Sequence, residues 1–408
     1  MTRKWIAITG LLLLAGCSGG GGEDPAPAPP TGASTEFLVA TSEGLWRGLT
    51  NGKGGVVFVH PNLQRADVLL GDGHVSYSRV QPIQPPGSVD NEDIWTVNTD
   101  GTGNRALVNT PMGEFLQAVK GPWVFYYANT SWSSVRVDTG QQAVLSTGDV
   151  NASLDQLVGT RAVFSHDSLI TSINFDGTDK RTHADVSSND RYLFIKAAIE
   201  QPATVLYEVV DNAPPQSQLF SVSLAEGAQE IPLTEVTKST YAGHSGGRVV
   251  YRRCLSVENA PSTVQCNVLS VRLDGTQTAV LAAQSENEAV QGIIGERVVI
   301  RRNVNGNDQL VSVPITGGAE SFIMLVGDTD FIEVVAGDAL VLRRSTGTWR
   351  LDLNGTLTKL GPTPGGHAYQ VVGTAVCYNV NAAYYCAPLD GSGPEVKITG
   401  NGKFVGVL

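Results

Sequence analysis

The sequence predicts an all-β fold, a single β-propeller of about eight or nine four-stranded blades that is closed between both chain ends. Three observations predict it. A strand–turn–strand unit recurs along the chain, its spacing fits a four-stranded blade, and the first and last strands complete one unit together. Between the units no segment has helical apolar spacing, which disfavours α/β folds and helical solenoids.

The recurring unit is a short alternating strand that ends in an Asp-Gly or Asn-Gly turn. Its clearest copy is LSVRLDG at residues 269–275, which the strand TAVLAA follows. The eight intervals between the turn glycines average about 42 residues, within the roughly 40 to 45 of a four-stranded propeller blade. These glycines are Gly52, Gly101, Gly140, Gly177, Gly227, Gly275, Gly317, Gly355 and Gly391.

When the repeats are aligned on the turn, two positions in the strand before it each hold residues of one size. One residue before the turn acid the side chains are large, as at Phe175 and Leu273, and four residues before it they are small. Opposite faces of a strand alternate with a period of 2, so each strand has a large face and a small face. In sheets arranged around an axis, the large face of one sheet can pack against the small face of the next. The small residues are Thr96, Ser134, Ser172, Ser270 and Ser312.

A second pair of strands precedes each of these hairpins, for example QAVKGPWVFYY from Gln117 and VVAGDALVLRR from Val334. Four strands in meander order form a blade. The chain begins with three strands, EFLVAT, GLWRGLT and VVFVHP, and ends with one, KFVGVL. Pairing the last strand with the first three would close the ring.

The first residues are typical of a secretion signal. Arg3 and Lys4 precede a short apolar stretch that ends in Leu14-Ala15-Gly16-Cys17. This LAGC resembles the lipobox of bacterial lipoproteins. The resemblance implies a signal peptide over residues 1–16 and an acylated Cys17 that holds the protein on a membrane. Ser18 resembles the outer-membrane sorting choice of enteric-type bacteria, and the alternative is an ordinary secretory peptide with an incidental Cys.

Residues 17–35 contain the lipidated Cys and a Gly/Pro linker, and residues 36–408 are expected to form the propeller. Hydrophobic residues make up 41% of the chain, which is enough for a core. The net charge is −11, which argues against nucleic acid as a partner because phosphates would be repelled. No further apolar stretch is long enough to span a bilayer.

The Asp-Gly turn pattern of the repeats resembles the TolB-type repeats of bacterial periplasmic propellers. The S-P-D-G turn of those repeats and the W-D of WD40 repeats are missing. Members of such families bind envelope proteins or polysaccharides, and some are the propeller half of peptidases. The resemblance therefore supports the fold and lends little to function.

Four cysteines other than Cys17 form two local pairs, Cys254 with Cys266 and Cys377 with Cys386. Each pair would lie on the second and third strands of one blade, facing across a single loop. Of the three connectivities that four cysteines allow, only this one needs no contact between distant blades. Two disulfides in an oxidising compartment are therefore predicted, the alternative being four buried free thiols.

Chemical motifs are weak. Gly243-His244-Ser245-Gly246-Gly247 matches a nucleophile elbow, but strands flank it on both sides where a helix is needed, so a structural turn is favoured. Six scattered histidines show no ligand spacing, and residues 303–308 look like a hairpin turn rather than a calcium loop. Neither a cofactor nor a metal is expected.

Long connections between second and third strands are the candidate binding loops. They are expected at residues 81–92, 198–216 and 255–265, on the face that also carries the connections between blades. The residues singled out in them are Gln81, Pro85, Pro86, Tyr207, Pro214, Pro215 and Glu258. Neutral insertion in tolerant loops is the alternative, and residues 204–210 are also compatible with an additional strand.

Two functions follow from these observations. The favoured one is a lipid-anchored recognition or scaffold module of the cell envelope, with an envelope protein or polysaccharide as partner. The alternative is an envelope hydrolase or lyase with a composite site at the propeller axis. No catalytic residue can be assigned, which favours binding.

Overall fold

The structure is a computed structural model. Within the residues it describes, thirty-six strands form nine antiparallel sheets of four strands, without an α-helix. The protein is therefore a nine-bladed β-propeller, which confirms the predicted fold class. The described residues are 34–61, 63, 66–80, 91–147, 152–166, 168–186, 191–212, 215–257, 260–285, 288–362, 366–381, 383–399 and 402–408.

Blades 1 to 5 follow one another in chain order. Blade 1 contains β1 (Glu36–Thr41), β2 (Gly44–Leu49), β3 (Gly54–Val59) and the last strand, β36 (Gly402–Val407). Blade 2 contains β4 (Val68–Leu70), β5 (His74–Val80), β6 (Glu92–Asn98) and β7 (Arg105–Val108). Blade 3 contains β8 (Phe115–Lys120), β9 (Trp123–Ala128), β10 (Ser131–Arg136) and β11 (Gln142–Thr147). Blade 4 contains β12 (Ser153–Val158), β13 (Arg161–His166), β14 (Leu169–Asn174) and β15 (Arg181–Asp185). Blade 5 contains β16 (Arg191–Ile199), β17 (Thr204–Asn212), β18 (Pro215–Ser223) and β19 (Ile231–Pro232).

Blades 6 to 9 continue in the same order. Blade 6 contains β20 (Lys238–Ser245), β21 (Arg248–Val257), β22 (Ala260–Arg272) and β23 (Ala279–Ser285). Blade 7 contains β24 (Ala289–Ile294), β25 (Arg297–Val304), β26 (Asn307–Pro314) and β27 (Ser321–Leu325). Blade 8 contains β28 (Phe331–Ala336), β29 (Ala339–Arg344), β30 (Gly347–Asp352) and β31 (Leu357–Gly361). Blade 9 contains β32 (His367–Val372), β33 (Ala375–Val380), β34 (Ala383–Pro388) and β35 (Val396–Thr399).

The predicted closure of the ring is confirmed. Strand β36 pairs antiparallel with β1, so the chain end completes the blade that the chain start opens. The Phe404 ring of β36 stacks on Phe37 of β1 with 6.1 Å between ring centroids. Tyr384 of blade 9 contacts both rings and joins the closing blade to its neighbour.

The first strand of each blade is the innermost. First strands of neighbouring blades contact each other, as β20 contacts β24 and β24 contacts β28. We call the face on which these innermost strands begin the upper face. Because strand direction alternates, the upper face carries the connections from second to third strands and those between blades. The lower face carries the Asp-Gly turns.

Apolar side chains fill the spaces between neighbouring blades. Val163 and Ile170 of blade 4, for example, pack in one cluster with Val205 and Tyr207 of blade 5. Burying each such side chain stabilises the fold by about 1.5–3 kcal/mol. The core is therefore a ring of nine interfaces rather than one central cluster.

The column of small residues is buried, as predicted, and has a further role. The Ser134 hydroxyl donates to the Phe175 carbonyl of the next blade, and the Ser270 hydroxyl donates to the Ile315 carbonyl in the same way. In blade 5, Ser221 donates to the Leu273 carbonyl at 2.7 Å. These hydrogen bonds satisfy polar groups that the stacked blades remove from water.

Each Asp-Gly turn is closed by local hydrogen bonds. Asp274 accepts from the backbone N–H and the hydroxyl of Thr276 at 3.0 and 2.6 Å. These bonds, first of all that from the hydroxyl, lower the pKa of the Asp274 carboxyl. Gly275 has φ = 77°, a conformation that only glycine adopts readily. The Asp-Gly pair is therefore well suited to this turn, since the carboxylate accepts the local hydrogen bonds and the glycine adopts the positive φ.

The two predicted disulfides are confirmed. Cys254 of β21 lies directly opposite Cys266 of β22, and Cys377 of β33 directly opposite Cys386 of β34. The Cα atoms of each pair are 4.1 Å apart. Both bridges therefore link the second and third strands of a single blade.

One of the predicted loops is wrong. Residues 198–216 contain the end of β16, all of β17 and the start of β18, so TVLYEVV is the second strand of blade 5. Tyr207, expected on a binding loop, is 0% exposed inside this strand. Residues 255–265 also belong largely to β21 and β22. Gln81, Pro85, Pro86, Pro214 and Glu258 lie outside the described residues, and Pro215 begins β18.

The two turn interpretations agree with the structure. Gly243 and Ser245 lie in β20, and the chain turns at Gly246-Gly247 into β21, so the elbow-like motif is a hairpin between strands. Residues 303–308 form the β25–β26 hairpin, with Asn305 and Gly306 at its tip.

Candidate functional site

Exposed apolar side chains are concentrated on the upper face. Seventeen large apolar side chains are exposed among the described residues, and eleven of them lie at strand ends or connections on this face. A concentration of apolar surface on one face marks an interaction site more often than scattered residues do. The eleven are Val59, Val80, Met112, Phe115, Tyr192, Phe194, Val236, Leu255, Val304, Leu325 and Phe331.

Three exposed phenylalanines lie on innermost strands on this face. Phe115, Phe194 and Phe331 lie at equivalent register positions near the upper ends of β8, β16 and β28, in blades 3, 5 and 8. Their side chains are 49%, 49% and 47% exposed. We call them the mouth phenylalanines. Large rigid rings of this kind are frequent anchors in binding surfaces.

A β-bulge follows each mouth phenylalanine. The register of the innermost strand shifts by one residue at Gln117, Lys196 and Glu333. Bulges of this kind re-aim side chains at the rims of closed sheets. Lys196 Nζ lies 5.3 Å from the centroid of the Phe194 ring, and the Arg343 guanidinium lies 4.3 Å from that of Phe331. Each of these two rings therefore has a cationic neighbour while about half of its side chain remains exposed.

Three arginine pairs lie in the second strands of blades 6, 7 and 8, in the middle of β21 and β25 and at the end of β29. These are Arg252-Arg253, Arg301-Arg302 and Arg343-Arg344. Carboxylates accompany them: Arg301 Nη2 lies 2.5 Å from Asp308, and Arg344 Nε lies 2.7 Å from Asp330. Burial alone would raise the pKa of Asp330, but hydrogen bonds from Arg344 and the Gly327 N–H lower it. This part of the upper face is therefore polar and internally paired.

Two buried carboxyls precede innermost strands on the same face. Glu114 stands before β8 and Glu288 before β24, and burial raises the pKa of both. The Thr110 hydroxyl donates to one Glu114 oxygen. Because desolvation favours the neutral form, both groups retain a proton to higher pH than an exposed glutamate.

The hairpins of blades 5, 6 and 7 extend further on the upper face than those of blades 3, 4, 8 and 9. Their second strands have nine, ten and eight residues, whereas β9, β13, β29 and β33 have six. At about 3.3 Å per residue the excess of two to four residues is roughly 7–13 Å. Leu255 and Val304 stand near the ends of these strands, and the Cys254–Cys266 bridge staples the blade 6 hairpin. The long hairpins of blades 5 to 7 therefore border one side of the surface that carries the mouth phenylalanines.

Cavities lie between neighbouring blades. Three that are lined by described residues have volumes of about 60, 300 and 80 Å³. The 300 Å³ cavity lies between blades 4 and 5, where the long strands of blade 5 extend beyond those of blade 4. Its volume is in the range of small-ligand pockets, roughly 300–1,000 Å³.

Several histidines have structural partners. His183 Nε2 lies 2.7 Å from the Ser172 hydroxyl, and His244 Nδ1 lies 2.6 Å from the Tyr241 hydroxyl. Burial lowers the pKa of both rings. In the described ranges, no group of three or more His, Cys, Asp or Glu side chains is arranged to hold a metal ion.

Neither the mouth phenylalanines nor the arginine pairs are among the residues predicted from the sequence. Their signal is present in the repeats, as FLQAV at residue 115, FIKAA at 194 and FIEVV at 331. The sequence pattern predicts that the innermost strands of blades 3 and 8 begin at Gln117 and Val334, two and three residues after their actual starts. Of the residues that were expected on the upper face, Tyr207 is buried within blade 5.

In the part of the chain that the structure describes, no helix is long and apolar enough to cross a membrane.

The sequence matches no family model and no curated protein. Among solved structures, the chain is similar to a crystal structure of the eukaryotic initiation factor, with a TM-score of 0.60 and 8% identity over 92% of this chain and 98% of that one. A post-proline cleaving enzyme from Rickettsia typhi gives a TM-score of 0.44 and 7% identity over 80% and 57%. The β-propeller domain of the Trilobed protease from Pyrococcus furiosus gives 0.41 and 10% over 82% and 96%. Such distant similarity shows the fold alone.

Proposed function

We propose that this protein is a lipid-anchored binding module of the bacterial cell envelope, which captures a protein or polysaccharide partner on its upper face. The observation that carries the proposal is the concentration of exposed apolar side chains there, including the mouth phenylalanines on the innermost strands. Burying three half-exposed phenylalanines against a partner gives enough apolar contact for a small group of anchor residues.

The proposed location in the cell envelope has separate support. The two disulfides are typical of a compartment outside the cytoplasm. The LAGC motif at Cys17 and the Gly/Pro-rich residues after it support acylation with a flexible tether. A tether lets a rigid ring present its upper face at some distance from the membrane.

The alternative function, an envelope hydrolase or lyase, has less support, because the carboxylates on the innermost strands are already engaged. Asp155 and Glu333 stand at their bulges, where a composite site at the axis would be built. Asp155 accepts from the Ser165 N–H at 2.8 Å, and Glu333 accepts from Arg343 at 2.6 Å. Both carboxylates therefore have hydrogen bonds within their own blades, as structural groups do.

The test compares two matched triple variants in capture from solubilised envelope fractions and on purified envelope polysaccharide. Phe115, Phe194 and Phe331 are changed to Ser in one variant. In the other, Val144, Val280 and Phe322 are changed to Ser; these are exposed on the fourth strands at the outer rim. We expect loss of capture in the first and retention in the second. Equal capture by both, or no capture by the unaltered protein, would contradict the proposal.

A further inference from the structure

The register of the innermost strands defines nine equivalent positions on the upper face, one in each blade. All nine residues are exposed. The mouth phenylalanines occupy three of the positions, and small uncharged residues occupy those of blades 4, 6 and 7. In blade order from 1 to 9 the residues are Lys403, Asp67, Phe115, Ser153, Phe194, Thr240, Ala289, Phe331 and His367.

The mouth phenylalanines are separate rings, because no two of them lie in neighbouring blades. Interfaces between proteins concentrate their anchor residues near the centre, in well-packed pockets. A sugar residue presents instead a small apolar face of C–H groups, which packs on the electronegative face of a single aromatic ring. Separate rings that are about half exposed therefore fit a polysaccharide better than a protein.

In blades 5 and 8 an ion pair flanks the mouth phenylalanine. In blade 5 the bulge residue Lys196 lies 2.7 Å from Glu208, the residue directly opposite the ring on the second strand. In blade 8 the charges are exchanged. The bulge residue there is Glu333, which accepts at 2.6 Å from Arg343, the residue directly opposite the ring. Each ring thus lies beside a pair without net charge.

The exchange of charges indicates an uncharged ligand. An ionic group on the ligand would be attracted by one sign of charge and repelled by the other at these equivalent positions. In blade 3 the same two places hold Gln117 and Tyr127, which carry no formal charge. The cation and the anion among the nine positions, Lys403 and Asp67, lie 3.6 Å apart as a pair. The common feature of the three sites is a ring beside groups that donate and accept hydrogen bonds.

We propose that the mouth phenylalanines bind an uncharged polysaccharide, with each ring packed on the C–H face of one sugar residue. The inference rests on the proposed function and chooses between its two classes of partner. In blades 5 and 8 the carboxylate accepts from one sugar hydroxyl and the cation donates to the next, so one pair recognises two adjacent hydroxyls. These contacts orient the sugar residue that the ring holds.

The probes are uncharged polysaccharides: β-glucan, mannan and the part of purified envelope polysaccharide that an anion exchanger does not retain. Affinity electrophoresis of the purified protein detects binding, and calorimetry measures the affinity at low and high salt. We expect at least one probe to bind, with an affinity that high salt does not reduce, because no ion pair forms with the ligand. Binding of none of the probes, or binding that high salt abolishes, would overturn the proposal.

A change of the three mouth phenylalanines to Leu distinguishes a sugar from a protein. Leucine keeps an apolar side chain but has no flat ring, so the affinity for the polysaccharide should fall at least about tenfold. Phe322→Leu, at an exposed position on the outer rim, is the control and should bind normally. Unchanged binding by the triple Leu variant would show that the rings do not hold the sugar.

Glu333→Gln combined with Arg343→Gln tests the recognition of hydroxyls. Loss of the charge-assisted hydrogen bonds should weaken polysaccharide binding by about three- to tenfold, and unchanged binding in a variant with a normal urea midpoint would contradict that role. Capture of an envelope protein through the mouth phenylalanines, without binding of any polysaccharide, would overturn this inference and leave the proposed function intact. Capture of neither would contradict both.

Discussion

His183 should make the fold sensitive to acid. Its ring is 9% exposed in β15 and lies near two guanidinium groups, those of Arg161 and Arg181. Ser172 Oγ accepts from Arg161 Nε at 2.8 Å, so its own proton is available for His183 Nε2 at 2.7 Å. The ring is therefore held neutral, with its proton on Nδ1. Burial, together with the two arginines, lowers the pKa of His183 from 6.5 to about 4.

The direction and the size of the change in stability with pH follow from proton linkage at His183. Below the ordinary pKa of 6.5 the unfolded chain binds a proton at His183 that the folded protein excludes until about pH 4. Stability from this residue is complete above about pH 6.5 and is lost progressively as the pH falls to about 4. At pH 5 the loss amounts to about 2 kcal/mol.

The assay is urea unfolding of the protein and of His183→Gln at pH 7 and pH 5. Gln does not titrate and keeps an acceptor for Ser172. The raised pKa values of Glu114 and Glu288 act in the opposite direction, but they contribute equally to both proteins and cancel in the comparison. We expect the unaltered protein to lose about 2 kcal/mol more than the variant between these pH values. Equal losses, or an NMR titration of His183 with a midpoint above pH 6, would refute the reasoning.

Three further outcomes are expected. Replacing Cys254 and Cys266 by Ala should lower the free energy of unfolding by about 3 kcal/mol, since the bridge closes a loop of 12 residues, and an unchanged urea midpoint would contradict this. Ser270→Ala should cost about 1–2 kcal/mol in the same assay, because a buried carbonyl of the next blade loses its donor, and a neutral effect would show that the hydrogen bond is replaced. Cys17→Ala should release soluble protein or leave an unprocessed precursor on cell fractionation; finding the unaltered mature protein without fatty acid would end the lipoprotein hypothesis.

The blades, the ring closure and the disulfides were predictable because each depends on a local pattern. Period 2 marks a strand, a turn glycine marks its end, and two cysteines facing across one hairpin need no knowledge of distant contacts. Closure followed from counting, since three strands at one end and one at the other complete a blade. Nothing in these features depends on which side chains are exposed.

Blade 5 shows where this reasoning fails. Its turn between first and second strands contains Pro202 where blades 3 and 4 have Gly121 and Gly159. No glycine turn therefore precedes β17, and the sequence predicts a loop there. The mouth phenylalanines were missed for a different reason. A β-bulge after each of them shifts the phase of the alternation, so in blades 3 and 8 a search for period 2 begins the strand at the bulge or directly after it.

The repeat that identifies the fold also explains why binding residues belong on the opposite face. In blade 2, a Cβ atom on turn residue Gly101 would lie 1.9 Å from the Val57 carbonyl oxygen in β3 of blade 1. A Cβ atom on Gly355 of blade 8 would likewise lie 2.4 Å from the Ile323 carbonyl oxygen of blade 7. These turns are therefore joints between blades, and substitution there would force the blades apart. The upper face has no such repeated joint among the contacts described here, so strand lengths and side chains can differ from blade to blade. The long hairpins of blades 5 to 7, the cavity beside blade 4 and the mouth phenylalanines all arise from that freedom.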